Sequence, residues 1–122
     1  MKLRIRANTL RLRITRPELE KLASGGRVLE RVPFAGGAEF KYELGVDAKA
    51  PALGATYRDH VISVTIPASE FRHWQREDEV SLKATQGAGS ASELSILIEK
   101  DFPCETVREG EDDSDAFKRS GQ

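Results

Sequence analysis

Six side chains near the start of the chain could bind an anion. Lys2, Arg4, Arg6, Arg11, Arg13 and Arg16 are all positive, and no acid stands among them in residues 1–16. They alternate with Leu3, Ile5, Leu10, Leu12 and Ile14. Guanidinium groups grip phosphate or carboxylate through paired N–H donors, so this spacing suits polyanion recognition more than proton transfer. Five of them, Lys2, Arg4, Arg6, Arg11 and Arg13, are the candidate anion-binding residues. Four things could meet this charge: solvent and salt; acids on a neighbouring strand, such as Glu39, Glu43, Glu93 or Glu99; the acidic C-terminal segment; or a phosphate-bearing ligand.

Other chemistry has less behind it. His60 and His73 are the only histidines, and no HxH or CxxC spacing provides a metal site. Asp59 and His60 are neighbours on what reads as a strand, which would point them to opposite faces. Cys104 is flanked by Glu99, Asp101 and Glu105, which oppose a thiolate. SGGR and QGAGSAS match no phosphate-cradling glycine motif. The acids at 77–79 and 111–113 read as solvated charge. No aromatic residue sits among the cations to stack on bases, so nucleic acid is not the expected partner. No catalytic residue, metal or cofactor is expected.

The elements that must position the cations follow from periodicity. Alternation over Lys2–Arg6 and Thr9–Ile14 predicts a hairpin closed at Ala7-Asn8, with Leu3 opposite Leu12 and Arg4 opposite Arg11. Aliphatics then share one face and cations the other. Thr15-Arg16-Pro17-Glu18 is a capping box opening a short helix, which Gly25-Gly26 ends. Strands are expected at 27–34, 38–46 and, as one long strand, 56–66. Ser69 is expected to cap a second helix carrying Phe71 and Trp74 toward the core. Two more strands follow, around Val80–Ala84 and Leu94–Ile98. The order ββαβββαββ predicts an α+β fold with a mostly antiparallel, strongly curved or barrel-like sheet and two short helices. RLRITRPELEKLASGGRVLERV and ISVTIPASEFRHWQREDEVSLKA share one layout, strand, cap, helix, strand, as an internal duplication would.

Composition bounds the rest. The 122 residues are 39% hydrophobic and 32% charged, with net charge −1, which fits one globular domain over 1–102. The charge is nonetheless polarised, since residues 99–115 hold eight acids against Lys100 and Arg108. Residues 103–122 read as an acidic, disordered tail. A single cysteine, the absence of an apolar segment after MKLRIRAN and the lack of a membrane-length apolar run point to a cytoplasmic protein.

The two ends, MKLRIRANTLRLRITRPELEKL and ELSILIEKDFPC with its acidic continuation, resemble a family of short bacterial proteins whose domain has no assigned function. Ala7 stands where such a turn would be expected to carry Gly. The resemblance implies a bacterial cytosolic protein and no mechanism. Two functions remain open: a non-enzymatic binding or adaptor module meeting a protein partner, or a binder or hydrolase of phosphorylated or polyanionic ligands acting through the basic hairpin. Because residues 105–122 hold so little apolar surface, deleting them is expected to leave the melting temperature within a few degrees of the intact chain. A much larger fall in thermal unfolding would show that they contribute to the core.

Overall fold

The computed structural model describes residues 1–76 and 80–101. Eight strands and two helices follow one another as β1 (Lys2–Arg6), β2 (Thr9–Ile14), α1 (Arg16–Ala23), β3 (Val28–Pro33), β4 (Glu39–Asp47), β5 (Gly54–Arg58), β6 (Val61–Pro67), α2 (Ala68–Arg76), β7 (Ser81–Gln86) and β8 (Leu94–Lys100). A single 3-10 turn lies at Ala35–Gly37. The acidic tail and Cys104 lie outside the described residues, as do the acids at 77–79.

The strands form two four-stranded sheets, ordered β1-β2-β8-β7 and β3-β4-β6-β5. Both are mixed. β2 and β8 run parallel at the centre of the first sheet, and β4 and β6 run parallel at the centre of the second. The outer pairs of each sheet are antiparallel. The α+β class and the two helices are as expected; the mostly antiparallel barrel is not. Hydrophobic alternation reports which face of a strand is buried but not the direction of its neighbour. The expected strand 56–66 is a hairpin, β5–β6, whose turn is Asp59-His60, both with positive φ (54° and 65°). His60 therefore sits in a turn and not on a strand. Helix α2 begins at Ala68, directly after Pro67, so Ser69 is inside it and does not cap it.

The two halves of the chain are arranged alike in the topology. If residues from β1 to β4 are exchanged with those from β5 to β8, the order β1-β2-β8-β7 becomes β5-β6-β4-β3, which is the second sheet. Each half thus donates one hairpin to each sheet. All strand hairpins turn at one end of the molecule, and both helices close the other.

The core lies between the sheets and under the helices. Leu12, Ile14, Ile96 and Ile98 come from the first sheet, Leu44, Val64 and Ile66 from the second, and Leu22, Phe71 and Trp74 from the helices. Each such side chain stabilises the fold by about 1.5–3 kcal/mol on removal from water. Trp74 is wholly buried and meets Phe71 edge-on, with ring centroids 6.1 Å apart. Lys100 at the end of β8 donates to the Trp74 carbonyl at 2.7 Å and lies 5.0 Å from its ring centroid. That contact ties the last strand to the C-terminal turn of α2, where a cation is favourable. The capping box on α1 is formed: Thr15 Oγ1 accepts from the Glu18 N–H, and Glu18 Oε1 accepts from the Thr15 N–H at 2.8 Å.

The sheets do not close into a barrel, because side chains and not strand ladders span their two seams. Between β5 and β7, Gln86 accepts from the Ala55 N–H and donates to the Ala55 C=O, both at 2.9 Å. Its carboxamide stands in for one peptide unit of a missing strand pair. Between β1 and β3, the Met1 ammonium donates to Glu18 and, at 2.8 Å, to Glu30, while Tyr42 Oη donates to the Met1 C=O at 3.3 Å. Burial disfavours that ammonium charge, but bonds from Glu18 and Glu30 outweigh it and raise the pKa. Gln86→Ala leaves both Ala55 groups without their partner and is expected to cost about 1–2 kcal/mol in urea unfolding. A change below a few tenths would show that water replaces the carboxamide freely.

Candidate functional site

The β1–β2 register is as the alternation predicts: Lys2 opposite Arg13, Leu3 opposite Leu12, Arg4 opposite Arg11, Ile5 opposite Leu10 and Arg6 opposite Thr9. The turn residue with positive φ is Ala7, at 49°. An alanine there carries strain that Gly would not. Leu10 and Leu12 are buried, so the aliphatics point inward and the cations stand on the outer face of the first sheet.

Lys2, Arg4, Arg11 and Arg13 line one shallow hollow with about 20 Å³ of accessible space, roughly one water. Arg6 is exposed further along β1 and does not line it. The structure thus brings together four of the five sequence-predicted cations.

One carboxylate serves two of them, Arg11 and Arg13. Glu99 on β8 lies opposite Arg13 across the parallel pair. It accepts from Arg11 Nε at 2.7 Å and Arg11 Nη2 at 3.1 Å, a two-pronged contact, and stands 3.6 Å from Arg13 Nη2. The hydrogen bond from Arg11 chiefly holds the Glu99 carboxyl below its ordinary pKa; partial burial opposes this, and the charges of Arg11 and Arg13 add to it. The same bond raises the Arg11 pKa against its own desolvation. Among the described residues, Lys2, Arg4 and Arg6 have no ion-pair partner.

The other acids expected near the cations bind elsewhere. Glu39 pairs with Arg31 and Lys41, each at 3.5 Å. Glu43 accepts from Ser63 Oγ at 2.5 Å and Arg27 Nε at 3.3 Å. Glu93 accepts from the Gly89 N–H. One outer-face cation was missed by the sequence reading: Lys83 on β7 lies in the row Arg4, Arg11, Leu97, Lys83. Only knowledge that β8 joins β2 to β7 puts it there.

The outer face of the second sheet is an internal contrast. It carries Lys41, Arg31 and Arg27 with Glu39 and Glu43 beside them, so each of these three cations lies within 3.5 Å of a carboxylate. Gly45 lets Arg27 cross it to reach Glu43, since a Cβ there would lie 2.6 Å from Arg27 Nη1. The two sheets share one topology, yet only the first concentrates positive charge.

No histidine enters the hollow. His73 lies exposed on α2 and His60 in the β5–β6 turn. Among the described residues no group of three or more His, Cys, Asp or Glu is placed to hold a metal. No helix among them is long and apolar enough to cross a membrane.

Mixed four-stranded sheets in an α+β arrangement, with a basic hairpin face, define the class of the protein. The model of a family of unknown function (DUF7009) matches residues 1–121, and the chain belongs to that family. No curated protein and no solved structure matches it.

Because the folded pKa of Glu99 is lowered, the Arg11–Glu99 pair contributes fully above the ordinary glutamate pKa of about 4.3 and is lost as pH falls through the lower folded value. Glu99→Gln is expected to destabilise the protein by about 0.5–2 kcal/mol at pH 7 and to flatten the acid side of its stability–pH profile. Parallel profiles for the two proteins below pH 5 would show that the pair is not coupled to folding.

Proposed function

We propose that the protein is a non-enzymatic binding module of the bacterial cytoplasm that holds an anionic group of its partner on the outer face of the first sheet. The observation that carries this reading is the charge arithmetic of the hollow: four cations, directly opposed on neighbouring strands, share one carboxylate. Like charges facing each other across an antiparallel pair cost a fraction of a kcal/mol each. An incoming anion relieves that repulsion and gains two unpaired cations, Lys2 and Arg4. Arg11 and Arg13 are held by Glu99 and so are pre-oriented, which lowers the entropy lost on binding.

A binding role fits the hollow better than hydrolysis of a phosphorylated ligand. Its lining is cationic throughout, and its single carboxylate already accepts two bonds from Arg11. Among the described residues, neither a nucleophile nor a free carboxylate or imidazole lines the space. Membrane and nucleic acid are not favoured as partners, because the net charge is −1 and, among the described residues, no aromatic ring lines the hollow.

Arg4→Glu separates function from stability. The new carboxylate would face Arg11, so the variant is expected to be as stable as the natural protein or more stable by up to about 1 kcal/mol. Its affinity for tripolyphosphate, measured by calorimetry at low salt, is expected to fall at least tenfold. Equal affinity would remove the hollow as the binding site.

A further inference from the structure

From the edge of β1 we infer that the partner group is an extended acidic peptide, added to the first sheet as a short fifth strand beside Leu3 and Ile5. This rests on the reading of the basic face as an anion-binding surface and names what that surface binds.

Backbone direction comes first. The Asn8 C=O accepts from the Ser95 N–H at 2.9 Å, and the Ile14 C=O accepts from the Asp101 N–H at 2.7 Å. Even-numbered residues of β2 therefore face β8, and Thr9, Arg11 and Arg13 face β1. Their opposites Arg6, Arg4 and Lys2 turn their backbone groups toward β2. Leu3 and Ile5 then direct N–H and C=O away from the sheet. Met1, of the same parity, has its C=O taken by Tyr42 Oη, which agrees with this direction. Among the described residues no backbone group pairs with Leu3 or Ile5 on that edge.

Among the described residues, the ion pairs and side-chain hydrogen bonds that cross the seam beside this edge lie at its helix end, at Met1, Glu18, Glu30 and Tyr42. Toward the hairpin turns it exposes Ile5 (56%), Val32 (38%) and Phe34 (59%). The facing strand offers a poorer template. The Phe34 N–H bonds to the Ala38 C=O, so Leu29, Arg31 and Pro33 face outward from β3, and Pro33 has no N–H to give. The opposite seam is occupied by Gln86.

Charge selects the occupant. An added strand places alternate side chains beside Lys2, Arg4 and Arg6 and the others over Ile5, Val32 and Phe34. Acids at the first set and aliphatics at the second satisfy both. A second copy of β1 would set three cations against three, which guards the edge against self-pairing. Strand addition gains its affinity from main-chain bonds and its specificity from alternate side chains.

The test uses the full chain, labelled with nitrogen-15, and the blocked peptide Val-Glu-Val-Glu-Val-Glu. Two further versions carry N-methyl groups at every Val or at every Glu, and one carries Lys in place of Glu. The acidic peptide is expected to slow hydrogen exchange at the Leu3 and Ile5 amides at least tenfold. At least one methylated version and the Lys version are expected to bind tenfold more weakly or worse. Binding with unchanged exchange at Leu3 and Ile5, or equal binding of all versions, overturns the strand-addition inference. If tripolyphosphate binds and the acidic peptide does not, this inference fails and the anion-binding function stands. If neither binds, both fail.

Discussion

The parallel pairing at the centre of each sheet is the constraint on which the architecture depends. β2 against β8 and β4 against β6 put Leu12 beside Ile98 and Val64 beside Leu44, all four buried. Parallel neighbours cannot be joined by a tight turn. The chain meets this by letting each half supply a hairpin to the other half's sheet. Every hairpin turn then falls at one end and both helices at the other. That polarity leaves the turn end uncapped, with Ile5, Phe34 and Tyr57 in solvent.

The same pairing creates the basic hollow. Antiparallel β1–β2 sets the cations against one another, and only the parallel neighbour β8 delivers a carboxylate, Glu99, between Arg11 and Arg13. Had β8 paired with β2 one residue out of register, Glu99 would have turned inward and Ile98 outward. The charge on this face and the packing beneath it are therefore fixed by one register.

Much of this was legible along the chain where the signal is local. The first hairpin and its register follow from two-residue alternation, and α1 follows from Thr15 and Glu18, whose bonds span three residues. The duplicated layout of the two halves was legible too. What could not be read is long-range. Nothing local to β2 says that its neighbour is β8, so Lys83 was not placed on the basic face. Glu99 stood as one of four acids with no way to choose among them. Asp59-His60 hid a turn inside an alternating run because no glycine or proline marks it, although Asp and His both tolerate the positive φ that they adopt. Gln86 has no sequence signature as a strand surrogate, since its role exists only once two sheet edges are brought side by side.

The interleaving of the halves also governs how the molecule assembles. Thr9 must wait for Ser95, so the first sheet is complete only when strands from both ends of the chain have met, whereas the second draws all its strands from Val28–Pro67. Contacts so distant in sequence delay the rate-limiting step, in the millisecond-to-second range common to domains dominated by non-local pairing. During synthesis the leading hairpin would emerge with its aliphatic side uncovered and its guanidiniums already in water. The positive charge on β1 would then hold nascent chains apart until β8 arrives.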